Sequence, residues 1–239
     1  KLSTDSTAYR KLRRFWVEGD HLCSAAMARG HKPVIAVFAE SFLPGAPAQR
    51  THAAAKNLVI PDRLFDEISG LESPARMGFV FELPAQAAVQ ANTATVILDR
   101  VQDAGNVGSI LRSAAAFGFR QVLALKGTAA LWSPKVLRAG MGAHFGLQLI
   151  EALEPLALDV LSVPIIVTSS HQGELIQNLK LPNPCAWALG HEGQGVCAEL
   201  MARAKVHVRI SQPGGEESLN VAAAAAICLH ASALAATLA

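Results

Sequence analysis

Three short segments of this 239-residue chain concentrate the residue types that bind or activate a polar ligand. The first is DRVQDAGNVGSILRSAAAFG at 99–118. It offers an amide at Asn106, a hydroxyl at Ser109 and a guanidinium at Arg112, each three positions apart. On a helix that spacing puts Ser109 and Arg112 on a shared face near the preceding loop, with Asn106 placed to cap the helix. The second is ALGHEGQGV at 188–196, where three glycines in six residues surround the titratable pair His191-Glu192. Glycines so dense let a ligand approach the main chain closely. The third is ISQPGGEESLNV at 210–221. There Gly214-Gly215 make a tight turn, Glu216 and Glu217 suit a helix start, and Ser218 or Asn220 can cap it.

Several chemistries are excluded by spacing. The glycines of the second segment read G-x-x-G-x-G, so the dinucleotide fingerprint G-x-G-x-x-G is absent, as is a Walker A loop. His191-Glu192 lacks the second histidine of a zinc protease, and the other histidines show no metal-ligand spacing. Cys23, Cys185, Cys197 and Cys228 form no C-x-x-C pair and suit reduced thiols of a cytoplasmic protein, with no metal site.

The elements that must position these segments alternate between strand and helix. Strands are expected at Val96–Leu98, Gln121–Leu125, Pro164–Thr168, Ala186–Leu189 and Val206–Ile210. Helices are expected at Val107–Phe117, starting over Pro134–Gly140, at Cys197–Ala204 and over the carboxyl-terminal run. Such alternation implies a mostly parallel sheet covered on both faces, an α/β fold. The three segments follow three of its strands, where open parallel sheets bind ligands. An ordinary helix cap accounts for each turn taken alone; three together point to a nucleotide-like ligand in a transferase or a binding protein.

The amino-terminal part reads as a second, smaller α/β unit, residues 1–84, with strands at Phe15–Val17, Val34–Phe38, Asn57–Ile60 and Met77–Phe81. Helices are expected from Asp20, as cap, to Arg29 and at Asp62–Ile68. Residues 85–92 read as a linker, and 93–239 as the larger domain. With 51% hydrophobic and 17% charged residues the chain is not disordered. A net charge of +2 permits nucleic acid without naming it. Locally, Arg10, Lys11, Arg13 and Arg14 lie beside Tyr9, Phe15 and Trp16, a pattern suited to phosphate attraction and base stacking. Val221–Ala239 carries no Lys, Arg, Asp or Glu, yet it is mostly alanine without aromatic or basic anchors. It reads as a helix packed in a core or at a subunit interface, not a membrane span. Lys1 opens the chain without a leader-like apolar run.

Taken together, the segments resemble the signature motifs of the SpoU (TrmH) family of RNA ribose 2′-O-methyltransferases, of the SPOUT class. N-x-G-x-x-x-R is matched by Asn106, Gly108 and Arg112, and G-x-E-x-x-G by Gly190, Glu192 and Gly195. The third motif is matched by Ile210, Ser218, Leu219 and Asn220. The segment 133–145 is similar to the family's helix between motifs one and two. Ala104 and Ser211 stand where the family usually has proline. The resemblance implies a deep trefoil knot near the carboxyl end and a small ribosomal-protein-like substrate-binding domain before it. It implies S-adenosylmethionine in a pocket lined by Leu189, Gly190, Ile210 and Leu219, a homodimer joined through the catalytic domain, and no metal. The catalytic set implied is Arg112, Asn106, Glu192, Ser218 and Asn220. Arg112 is either the base or a phosphate clamp, since a guanidinium stays protonated at working pH. The implied substrate is ribosomal RNA ahead of transfer RNA; a non-catalytic RNA-binding protein keeping the fold is the competing reading.

Overall fold

A computed structural model describes residues 1–169, 173–214 and 218–237. Gly215, Glu216 and Glu217, singled out above, therefore lie outside the described residues, as does His171. The chain divides into two compact units, Lys1–Ala85 with Trp132–Phe145, and Gln86–Leu131 with Gly146–Ala239.

The first unit contains α1 (Ala8–Leu12), β1 (Arg14–Glu18), α2 (Asp20–Ala28), β2 (Pro33–Ala39), α3 (Ala48–Thr51), β3 (Lys56–Ile60), α4 (Asp62–Ile68) and β4 (Met77–Glu82). Its sheet has the order β1-β4-β2-β3, with only the β2–β3 pair parallel. Gly19, at φ 94, precedes α2, so Asp20 is the first helical residue and not the cap. Three aromatics near the basic cluster are core residues: Tyr9 is 2%, Phe15 1% and Trp16 6% exposed. Stacking of RNA bases on them is thereby ruled out, while Arg10, Lys11, Arg13 and Arg14 stay exposed.

The second unit opens with β5 (Thr95–Leu98), α5 (Ala104–Ala116) and β6 (Gln121–Leu125). The next helix, α6 (Pro134–Gly140), belongs to the first unit, where Trp132 packs at 4.7 Å from Phe15. That differs from the reading of 93–239 as one uninterrupted domain: the large aromatics of 132–145 find their apolar partners in the smaller unit. The second unit resumes with β7 (Gln148–Leu153), β8 (Ile165–Thr168), β9 (Glu174–Leu175), β10 (Ala186–Leu189), α7 (Ala198–Arg203), β11 (Val206–Arg209) and α8 (Val221–Thr237).

Among the described residues its strands form one sheet of order β7-β6-β5-β10-β8-β11-β9, parallel at every pairing. Strands β5, β6 and β10 are buried along their whole length. Both faces of a parallel sheet are covered, which is why these strands read as continuous apolar runs. Helix α8 packs on α5 and β10. There Trp187 Nε1 donates to Ser232 Oγ at 2.8 Å, satisfying a polar group inside the core. Among the described residues no helix is long and apolar enough to cross a membrane.

Candidate active site

The carboxyl ends of β5, β10 and β11 bring the three glycine-bearing segments to one edge of the parallel sheet. Each turn has its own local cause. Asp103 precedes α5, and its carboxylate accepts the Asn106 N–H at 2.7 Å. The cap of α5 is thus Asp103, and Asn106 sits inside the first turn with its side chain free to reach outward. Asn220 caps α8, its Oδ1 accepting from the N–H groups of Ala222 at 2.9 Å and Ala223 at 3.2 Å.

Between β10 and α7, His191 and Gly195 exchange two main-chain hydrogen bonds, closing a tight turn. His191 Nδ1 accepts from the N–H of Gly193 at 3.0 Å and of Gln194 at 3.2 Å. A Cβ on Gly190 would lie 2.2 Å from the Gly195 carbonyl carbon and from the Val196 nitrogen, so only glycine permits this close crossing.

A chain of amide and carboxylate contacts ties the three segments together. Glu192 Oε1 accepts from Asn106 Nδ2 at 3.1 Å and from the Asp103 N–H at 3.2 Å. Its Oε2 accepts from the Gln102 N–H at 3.3 Å. Asn106 Oδ1 in turn accepts from Asn220 Nδ2 at 2.9 Å. Burial acts to raise the Glu192 carboxyl, but the hydrogen bonds from Asn106, Asp103 and Gln102 outweigh it and hold the group below its ordinary value. A depressed carboxyl contributes stability above its ordinary titration range and loses it as pH falls through the lowered value. The Glu192 anchor therefore persists at neutral pH and is released only in acid.

Below this chain lies a cavity of about 830 Å³, bounded by the turn 190–196, by Ile210 and Gln212, and by Ser218, Leu219 and Asn220. Of the residues singled out in the sequence, Gly190, His191, Glu192, Gly195, Ile210, Ser218, Leu219 and Asn220 line it. Asn106 does not, but it holds two residues that do. Leu189 does not line it either; its side chain is 1% exposed and its carbonyl accepts the Asp99 N–H. Arg112 is exposed on α5, six residues beyond Asn106. Its side chain makes no hydrogen bond or ion pair with the described residues and does not line the cavity.

Two contributors escaped the sequence reading. Asp99, 1% exposed, accepts from the Cys197 N–H at 2.6 Å and from Arg100 Nε at 2.9 Å. Arg100 Nη1 reaches Gln194 Oε1 at 2.9 Å, so the strand end of β5 grips the turn after β10 from both sides. The only sequence signal was a carboxylate directly following an apolar strand. Gln212, on the cavity wall, carried no signal at all. Among the described residues no three His, Cys, Asp or Glu side chains are grouped to hold a metal ion.

The model of the SpoU rRNA methylase family matches residues 93–230, more than half of the chain and all three segments. The chain belongs to that family. Similarity extends beyond the matched region. The 23S rRNA (guanosine(2553)-2′-O)-methyltransferase RlmP of Bacillus subtilis (strain 168) is 29% identical over 224 residues, covering 92% of this chain and 88% of that protein. An AdoMet-bound rRNA methyltransferase from Sinorhizobium meliloti has a TM-score of 0.83 at 25% identity, covering 97% of this chain and 90% of that one. The SpoU methyltransferase AviRb from Streptomyces viridochromogenes, in complex with AdoMet, reaches 0.88 at 22% identity, covering 99% and 95%. The last likeness speaks for the fold. The α/β architecture with its parallel sheet is that of SpoU methyltransferases.

Proposed function

We propose that this SpoU-family chain transfers a methyl group from S-adenosylmethionine to a ribose 2′-hydroxyl of RNA, with ribosomal RNA as substrate. The observation that carries the reading is the Glu192–Asn106–Asn220 chain of hydrogen bonds, which joins all three motif segments at the rim of one cavity. The cavity has the volume of a cofactor site. Gly190 allows close main-chain approach, Ile210 and Leu219 give apolar walls, and Leu189 fixes the strand end from which Gly190 departs. When bound, the sulfonium of the cofactor would supply an electrophilic methyl group; the protein's task is then alignment, with the hydroxyl proton passing to water.

In this account Arg112 clamps a substrate phosphate and lowers the hydroxyl pKa by its fixed charge. A guanidinium remains protonated, which suits a clamp better than a base. Asn106 and Glu192 hold the rim against which the ribose is oriented. Ser218 and Asn220 position the segment before α8. The family's deep trefoil knot would thread the carboxyl end behind this rim; the insertion of β10 between β5 and β8 and the packing of α8 on α5 support it.

Helix α8 leaves Ala223, Ile227, His230 and Leu234 exposed at alternating four- and three-residue spacing. That stripe suits a second copy of the chain in a homodimer. Four free cysteines, three of them buried, favour the cytoplasm. The unit 1–84 is assigned to RNA binding through the phosphate contacts of its basic cluster. Neutralising Arg10, Lys11, Arg13 and Arg14 is expected to weaken RNA binding at low salt. It should also flatten log K against log salt by about 0.7–0.9 per lost phosphate contact. An unchanged slope would remove this cluster from the RNA path.

Radiolabelled methyl transfer to ribosomal RNA and to transfer RNA, both lacking native methylation, tests the substrate. Label in the ribosomal pool alone is expected. Label in transfer RNA alone would reassign the substrate. Cofactor binding without label in either pool would favour the binding-only reading.

A further inference from the structure

The register of the smaller sheet brings the beginnings of three strands to one end. Strand β4 runs antiparallel to β1 and β2, so Arg14 lies opposite Glu82 and Pro33 opposite Phe81. Strand β3 runs parallel to β2, with Lys56 beside Ile35. Helix α1 leads into β1 and α2 ends just before β2, so Lys11, Arg29 and Lys32 come to the same end. Neighbouring strands lie about 4.8 Å apart, and the row from β1 to β3 is therefore about 14 Å wide. Lys11, Arg14, Arg29, Lys32 and Lys56 are all exposed there. None of these side chains forms an ion pair or hydrogen bond with a described residue. Glu82, the carboxylate at these strand ends, is exposed and pairs with none of them. Elsewhere in the unit cations have carboxylate partners: Arg50 has Asp20, Arg76 has Asp66 at 2.8 Å and Arg63 has Glu67 at 3.8 Å. Like charges gathered without counter-charges repel one another, and an external polyanion relieves that repulsion.

The aromatic side chains are distributed the opposite way. Among the described residues no Phe, Trp or Tyr of this unit is exposed. Single-stranded RNA is held largely by stacking its bases on aromatic rings. Double-helical RNA is held by phosphate and 2′-hydroxyl contacts, which need no ring. We infer that this end of the small unit's sheet docks the sugar–phosphate backbone of a double-helical stretch of the RNA substrate. The inference rests on RNA being the substrate. It extends the basic cluster of α1 and β1 across the sheet to Arg29, Lys32 and Lys56.

Fluorescence anisotropy on the full chain tests it, with two labelled probes: an RNA duplex of about 16 base pairs and one of its strands alone, of unstructured sequence. The unaltered protein is expected to bind the duplex more tightly than the strand. Changing Arg29→Gln, Lys32→Gln and Lys56→Gln together is expected to weaken duplex binding at least about tenfold near about 0.1 M salt. It should also flatten log K against log salt by about 2–3, at about 0.7–0.9 per lost contact. Binding of the single strand should change less than about twofold. Duplex affinity and slope left unchanged would overturn the inference. So would equal weakening of both probes, the mark of a surface that attracts any polyanion. Thermal melting checks the fold, and none of the three side chains has a partner to lose. Should the triple variant unfold, Lys32→Glu alone decides: duplex binding weakened at least about threefold, with the strand spared, is expected, and unaltered duplex binding overturns the inference. Preference of the unaltered protein for the strand would overturn this inference and leave RNA as the substrate. Failure to bind either probe would overturn the RNA reading itself, and this inference with it.

Discussion

Replacing Arg112 by alanine is expected to lower kcat by about a hundred- to a thousandfold and to leave the Kd for S-adenosylmethionine within about twofold of its original value. The separation of the two effects follows from position. Arg112 is exposed on α5 and absent from the cavity wall, so cofactor binding does not use it. Its side chain makes no hydrogen bond or ion pair with the described residues, so truncating it breaks none. In the proposed mechanism it contributes charge and a planar donor fork to a substrate phosphate. Arg112→Lys keeps the charge without the fork and should recover part of the lost rate. Single-turnover kinetics and calorimetry on the same preparations read both quantities. Loss of cofactor affinity equal to the loss of rate would make Arg112 a structural residue.

Gly190→Ala is expected to produce the opposite division. The new Cβ would lie 2.2 Å from main-chain atoms of Gly195 and Val196 and 2.5 Å from the Gly195 carbonyl oxygen. Main chain cannot swing aside as a flexible side-chain tip can, so the turn 190–196 must open. Opening it strains the His191–Gly195 pair and moves Glu192 away from Asn106. Overpacking of this kind costs about 1–3 kcal/mol of stability. The larger effect falls on the cofactor, whose Kd should rise at least about tenfold, since 1.4 kcal/mol lost from the wall is a tenfold change. Gly193→Ala is the control: its Cβ meets nothing nearer than the His191 ring at 3.7 Å. Cofactor affinity unchanged in Gly190→Ala would show that this turn is not the cofactor wall.

How far the sequence led can be judged element by element. Strands β6 and β10 and helix α4 have the bounds expected from their patterns, and α6 starts at Pro134 as expected. In the strands this is because uninterrupted burial leaves uninterrupted apolar runs. Strand β7 escaped notice because it is only partly buried and carries a glutamate, so its pattern is weak. The cap of α5 was misread because Asn106 and Asp103 are both good capping residues; the difference was settled by which one receives the N–H three residues onward. The basic cluster was read correctly for charge and wrongly for its aromatics, since alternation in β1 does not reveal that both its faces are covered. Position of the three glycine turns at strand ends was legible from the alternation of elements. The bonds that join them span 86 and 114 residues, and no local pattern carries such pairings. Asp99 and Gln212 went unseen for the same reason: their significance lies in neighbours that only the fold determines.

The most direct test of the account is the chemical identity of the methylated position. Unmethylated ribosomal RNA would be incubated with the protein and labelled S-adenosylmethionine, then hydrolysed in alkali, which cleaves beside a free 2′-hydroxyl and spares a methylated one. The account predicts label in a single alkali-resistant dinucleotide. Label released entirely as mononucleotides would place the methyl group on a base and contradict it.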